Sequence, residues 1–131
     1  MSDSTGTFAA PVLVEDPAFP GMKAWPSSFT LMDEIYQMKS FSREQSRVLM
    51  RLDASKLDLA NPKVHRADRD LAVAWAKNWG KGRVFYSTLG HVEDNWDRPE
   101  FRTMYTEAIK WALGLVNADA TPRPAPVERA Q

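Results

Sequence analysis

Two residues in the segment GHVEDNWDRPE (90–100), His91 and Glu93, stand two positions apart between a β-branched, aromatic run and an amphipathic stretch. Histidine is the side chain best matched to proton transfer near neutral pH, and a nearby carboxylate can orient the imidazole or favour its charged form. In α/β folds, ligand chemistry gathers where strands end and helices begin, which is where this segment falls. Gly90 allows a sharp turn after the strand, so His91 is expected at the carboxyl end of strand 83–89, facing a cleft. The dipole of the following helix would lower its pKa, and Glu93 or Glu34 would raise it. The plainer reading is that His91 only bonds a neighbouring loop while Glu93 and Asp94 favour the helix dipole.

A second acidic pair, Asp33 and Glu34, lies in MDEIYQ, which reads as the end of a strand. Side chains alternate across a strand, so only one of the two can face a given cavity, and Glu34 shares its face with Tyr36. A solvated strand end is the competing reading. His65 could join His91, Glu93 or Glu34 in a nitrogen–oxygen metal site, but no ligand-spacing motif supports one, and neither metal nor cofactor is assigned. GKGR (80–83) has the residues of a phosphate loop without its spacing, and reads as a tight turn. Of five tryptophans only Trp96 lies in the candidate loop, where it could stack on a sugar ring; the others read as core.

The elements that must position these residues fit one small domain. The chain has 131 residues, with 17 basic and 17 acidic side chains and no cysteine. Zero net charge disfavours nucleic acid and anionic membranes as partners. The missing cysteine removes disulfides, thiolate metal sites and a thiol nucleophile. No apolar run long enough to span a bilayer and no signal peptide are visible, so a cytoplasmic protein is expected if Met1 is the true start. Residues 1–10 and the proline-rich 117–131 read as disordered tails flanking a domain at 11–116.

Within that domain, Phe101, Met104, Tyr105, Ala108, Ile109 and Ala112 recur at helical spacing, predicting an amphipathic helix over 98–113. Asp97 and Glu100 have the spacing of a capping box, Pro99 suits the first turn, and Gly114 closes it. LAVAWAKNW (71–79) and RVFYSTLG (83–90) read as a hairpin, with shorter strands at 12–15, 29–36 and 47–52. Val84 and Tyr86 on one face and Phe85 and Leu89 on the other describe a strand covered on both sides. One helix covers about two strands of one face, so the sheet's other face calls for a second copy, a complementing chain or a missing N-terminal half.

Four stretches together resemble a known family: DEIYQ (33–37), RVLMRLD (47–53), VHRADRDLAVAWAKNWGKGRVFYSTLGHVEDNWDRPEF (64–101) and IKWALG (109–114). They resemble the C-terminal half of ThuA-like domains, named for trehalose utilisation, over roughly residues 12–115. The resemblance implies an α/β fold, namely the C-terminal half of a flavodoxin-like, class I glutamine amidotransferase-like architecture, with a mixed sheet and one long C-terminal helix. It implies a role in the metabolism of trehalose or oxidised disaccharides. His91 would be the general acid/base, Glu93 its orienting carboxylate, Glu34 and Tyr36 polar wall residues, and Trp96 a sugar platform. His91-Val92-Glu93 is similar to the His-x-Glu pair that serves a nucleophilic cysteine in the wider superfamily, but no cysteine is present to be activated. A truncated domain is one expectation. The other is a non-catalytic half-domain that binds a carbohydrate or a partner chain.

Overall fold

The computed structural model describes residues 2–57 and 70–126. Five strands form one sheet: β1 (Ser2–Val14), β2 (Ser28–Met38), β3 (Arg47–Leu52), β4 (Ala72–Trp79) and β5 (Gly82–Ser87). A single α-helix, α1 (Pro99–Ala112), follows them. The spatial order is β2-β1-β3-β4-β5, and every neighbouring pair among the described residues is antiparallel. The expected mixed sheet is thereby corrected. Parallel neighbours need a crossover segment, most often a helix, between strands, and the only α-helix described comes after all five. The α/β composition stands, and the described sheet holds no parallel pair of the kind a flavodoxin-like core is built from.

The N-terminal stretch expected to be a tail is strand from Ser2 onward. It pairs along β2 from Ser2↔Met38 to Leu13↔Ser28, with an irregularity between Ser4 and Thr7. Small residues disguised it: Ala10 is fully buried and Phe8 packs against the core, so this strand needs few large side chains. β3 is buried on both faces, with Val48, Leu49, Met50 and Leu52 all in the interior. β4 and β5 form the expected hairpin, closed at Trp79↔Gly82.

On one face of the sheet, Phe101, Met104 and Trp111 of α1 pack into a core with Phe19, Met22 and Trp25 from the β1–β2 connection. Trp111 meets the edge of Phe19 at 5.0 Å, and Phe85 of β5 meets Tyr105 of α1 at 6.1 Å. The second face of the β4–β5 hairpin is not bare, as the helix count suggested. Phe41, from the loop after β2, lies 4.9 Å from Trp75, whose other neighbour Tyr86 stacks on it at 4.2 Å. Burial of Tyr86 raises its phenol pKa above the ordinary tyrosine value.

Asp97 does not cap α1, because residues 93–97 wind into a short 3-10 helix and the cap position falls to Arg98, which supplies no side-chain bond. At the other end Gly114 takes a left-handed φ of 77°, and its N–H reaches the Trp111 carbonyl while Leu115 N–H reaches that of Lys110. This is the doubly bonded glycine stop expected there.

The chain then crosses back over the protein in place of the expected C-terminal tail. Ala120 is buried, Val116 and Ala118 pack on the core, and Arg83 donates to the carbonyls of Trp111 and Val116. Arg47 donates to the Thr121 carbonyl at 3.0 Å and pairs with buried Asp16 at 2.6 Å. Beside it, Arg43 bridges Glu15 and Asp70. Burial works to lower the Arg43 pKa, but hydrogen bonds to Asp70 and Glu15 outweigh it and raise the pKa further. Residues 127–131 of the expected tail lie outside the described residues.

Candidate functional site

The site begins with strand alternation in β2. Residues 31, 33, 35 and 37 are buried and 30, 32 and 36 are exposed, so Asp33 points inward and Glu34 and Tyr36 lie on the outer side. The sheet's two outermost strands then approach each other. Tyr36 N–H donates to Thr88 Oγ1 at 3.0 Å, joining β2 to the segment that leaves β5.

Asp33 is fully buried, and its carboxylate organises the loop after β5. Oδ2 accepts from Gly90 N–H at 2.8 Å and from the Asn95 amide at 3.2 Å. Oδ1 accepts from His91 and Val92 N–H, each at 3.1 Å, and from Glu34 N–H at 2.9 Å. A buried carboxylate is costly unless its oxygens are filled with donors, and here the donors are the backbone of the candidate loop itself. Asn95 completes the clasp by donating to the Met32 carbonyl at 2.9 Å.

This clasp fixes where His91 stands. Its ring Nε2 lies 2.9 Å from Glu34 Oε2, with the imidazole half exposed and the Glu34 carboxylate mostly covered. The carboxylate facing His91 is thus Glu34, the more distant of the two candidates in sequence. Glu93 opens the 3-10 helix, exposed to solvent, in the first-turn position that suits a negative charge.

Gly90 carries the turn. Its φ is +114°, a region L side chains avoid, and a Cβ there would stand 2.7 Å from Trp96 Cζ2. Trp96 Nε1–H donates to the Gly90 carbonyl at 2.9 Å, and its ring stacks on Tyr105 at 5.0 Å. Trp96 therefore serves first as a latch on the loop, with 43% of its surface left open. Tyr105 O–H donates to the Leu89 carbonyl at 2.8 Å, tying the same loop to α1; burial raises its pKa too.

The structure thus pairs His91 with Glu34 and joins the Tyr36 backbone to Thr88, while Glu93 and Trp96 of the same loop take other roles. His65 lies outside the described residues. Among the described residues, no three histidine, cysteine, aspartate or glutamate side chains gather in a group able to hold a metal ion. Asp33 and Asn95 are the organising residues that spacing alone did not single out. The signal for Asp33 was its inward parity in β2; Asn95 gave none.

Next along this face, a groove of about 370 Å³ is lined by Ser40, Phe41, Ser42, Gln45, Trp75 and Lys77, among others. It offers hydroxyl, amide and ammonium groups around aromatic rings.

The family model for trehalose utilisation (ThuA) matches residues 3–112. The chain belongs to the ThuA family. The match takes in β1 from Asp3, the other four strands and the whole of α1, so the His91–Glu34 pair and the Asp33 clasp lie within the ThuA domain. No curated protein and no solved structure matches the chain. Among the described residues of this ThuA domain, no helix is long and apolar enough to cross a membrane.

Proposed function

We propose that this ThuA-family chain acts on a carbohydrate of the trehalose or oxidised-disaccharide class, with His91 and Glu34 as its proton-transfer pair. The observation that carries the reading is the 2.9 Å contact between His91 Nε2 and Glu34 Oε2 in a loop whose backbone is pinned by Asp33. An imidazole paired with a carboxylate can take a proton from a sugar hydroxyl, or return one, while the carboxylate balances the charge that forms. Half-exposure leaves the ring open to a dissolved sugar. Pinning the backbone removes the entropy of ordering the loop at the moment of binding.

Around this pair, Tyr36 and the open part of Trp96 supply flanking surface, and the groove beside Trp75 supplies hydroxyl, amide and aromatic groups of the kind sugars contact. Glu93 is assigned to the helix start, and the orienting role passes to Glu34. The chain has no cysteine, so the Cys-dependent glutamine hydrolysis of the wider superfamily is outside its chemistry.

The test is a titration of trehalose, and of trehalose with one hydroxyl oxidised to a ketone, followed by amide chemical shifts. Shifts centred on Gly90–Val92 and Glu34 are expected, weakened in His91→Ala. Binding and turnover that are unchanged in His91→Ala would end the proposal.

A further inference from the structure

The groove beside Trp75 is set apart from the His91–Glu34 pair by its charge. Its described lining includes two lysines, Lys39 and Lys77, with the hydroxyls of Ser40 and Ser42 and the Gln45 amide, and holds no carboxylate. Arg43, in the same loop, is taken up by Glu15 and Asp70, each at 2.6 Å. Among the described residues no carboxylate does the same for Lys39 or Lys77, and the Lys77 ammonium lies over the Trp79 ring, 5.0 Å from its centroid. The chain as a whole balances 17 basic against 17 acidic side chains, so the groove is a local excess of positive charge in a concave surface. Such a surface concentrates anions.

Its place relative to His91 follows from the strands. Thr88 Oγ1 accepts the Tyr36 N–H, and Thr88 N–H donates to the Val73 carbonyl, both at 3.0 Å, so Thr88 stands opposite Val73 at the end of the hairpin that leads to His91. From Val73, Trp75 and Lys77 follow at every second position on the same face of β4, roughly 7 and 13 Å further along. Trp75 is fixed there by Phe41 at 4.9 Å and Tyr86 at 4.2 Å. A ligand that reaches from the imidazole to Lys77 therefore has the length of a disaccharide and not of a single sugar ring.

We propose that the groove is an anion subsite, which receives a phosphoryl or carboxylate group on the far sugar of a ligand whose near sugar meets His91. The substrate is then an acidic disaccharide. This rests on the carbohydrate reading of the His91–Glu34 pair. An ammonium binds phosphate or carboxylate as a point charge with three donors, and the serine hydroxyls and the glutamine amide add neutral donors around it. A neutral sugar would leave both lysines without a counter-charge, whereas an anionic substituent meets them. A phosphoryl group carries close to two negative charges at pH 7, so it matches two ammonium groups better than a carboxylate does. The groove is open to water, and salt therefore weakens the preference.

Titrations of the full chain followed by amide chemical shifts test it with trehalose, trehalose phosphorylated on one primary hydroxyl, and trehalose with that carbon oxidised to a carboxylate. The phosphorylated form is expected to bind roughly tenfold tighter than trehalose or better, with the carboxylate between them. Shifts are expected at Ser40, Ser42 and Lys77 as well as at Gly90–Val92. The tighter of the two charged forms identifies the substituent. Lys39→Gln combined with Lys77→Gln is expected to abolish the preference, and in the wild type about 0.5 M salt is expected to reduce it severalfold. Charged forms that move Gly90–Val92 but bind no tighter than trehalose overturn this inference and leave the carbohydrate reading standing. So does a preference that survives in the double variant. A charged form that moves the groove amides and leaves Gly90–Val92 unmoved overturns both, because the two ends then serve different ligands, and so does an absence of binding by all of the sugars.

Discussion

Asp33 holds the backbone of His91 across 58 positions of sequence, its Oδ1 accepting the His91 N–H at 3.1 Å. The next residue, Glu34, holds the ring of the same histidine at 2.9 Å. Consecutive strand residues face opposite sides, so the loop after β5 must wrap around β2 for its backbone to meet the inward carboxylate and its side chain the outward one. Two neighbouring carboxylates thus hold one histidine, Asp33 by its backbone and Glu34 by its ring.

Replacing Asp33 with alanine strips the acceptor from three loop N–H groups and the Asn95 amide at once. Each buried group left unmatched is costly, and a loss of roughly 3 kcal/mol or more is expected in urea unfolding. Asp33→Asn keeps one acceptor oxygen but points donors at donors, so an intermediate loss is expected. Equal unfolding midpoints for wild type and Asp33→Ala would contradict the clasp.

Gly90→Ala meets two obstacles, a positive φ and the Trp96 ring. A cost of about 1–3 kcal/mol is expected from the backbone alone. Because the new methyl pushes on Trp96, its indole N–H resonance, fixed by the Gly90 carbonyl in the wild type, is expected to shift toward the solvent-exposed position. An unmoved indole signal would mean that Trp96 is not the latch.

Much of this site could be read from local pattern. RVFYSTLG announced a strand, Gly90 the turn after it, and the 3.6-residue stripe from Phe101 to Ala112 the helix behind. Parity in MDEIYQ placed Glu34 and Tyr36 on one face. What local pattern could not supply was the partner across the fold: Glu93 is two residues from His91 and Glu34 is 57, and only the approach of β2 to the end of β5 decides between them. The first strand is hard to read in the sequence because Phe8 is its one large side chain before Pro11, and Ala10 is buried through its pairing with β2 and not by its own hydrophobicity. Asp97 was displaced as a cap because the 3-10 turn at 93–97 consumed the residues an ordinary cap would need.

Two partly buried phenols bear on stability in alkali. Burial raises the pKa of both Tyr86 and Tyr105, so the folded state keeps its protons where the unfolded chain begins to lose them, near pH 10. The stability they lend is complete below about pH 10 and declines as pH rises through their folded values. Urea midpoints are expected to hold up to about pH 9.5 and then fall, and Tyr105→Phe is expected to flatten that fall. A midpoint as high at pH 11 as at pH 9 would contradict this.

The strongest single dependence in the fold is expected between Asp16 and Arg47. Both are buried, joined at 2.6 Å, and the same guanidinium holds the returning C-terminal segment through the Thr121 carbonyl. Arg47→Ala leaves the Asp16 carboxylate inside the protein with, among the described residues, Arg123 at 3.8 Å and the Ala18 N–H at 3.3 Å to offset it. Breaking a buried pair from one side costs about 3–5 kcal/mol, whereas removing both charges costs far less. Arg47→Ala is therefore expected to lose most of the stability, and Asp16→Asn with Arg47→Met to regain part of it. The single variant is also expected to free residues 117–126, so that trypsin cuts after Arg83 or Lys110 sooner than in the wild type, because both lie beneath the returning segment or beside its start. Acid acts more mildly at the same place. Hydrogen bonds from Thr121 hold the Asp119 pKa below the usual carboxylate value, with Arg47 and Arg123 helping. Its contribution is therefore present above about pH 4 and fades as pH falls through the lowered value. A double variant no more stable than Arg47→Ala would show that the cost lies in lost packing by the arginine stem, and not in the stranded charge.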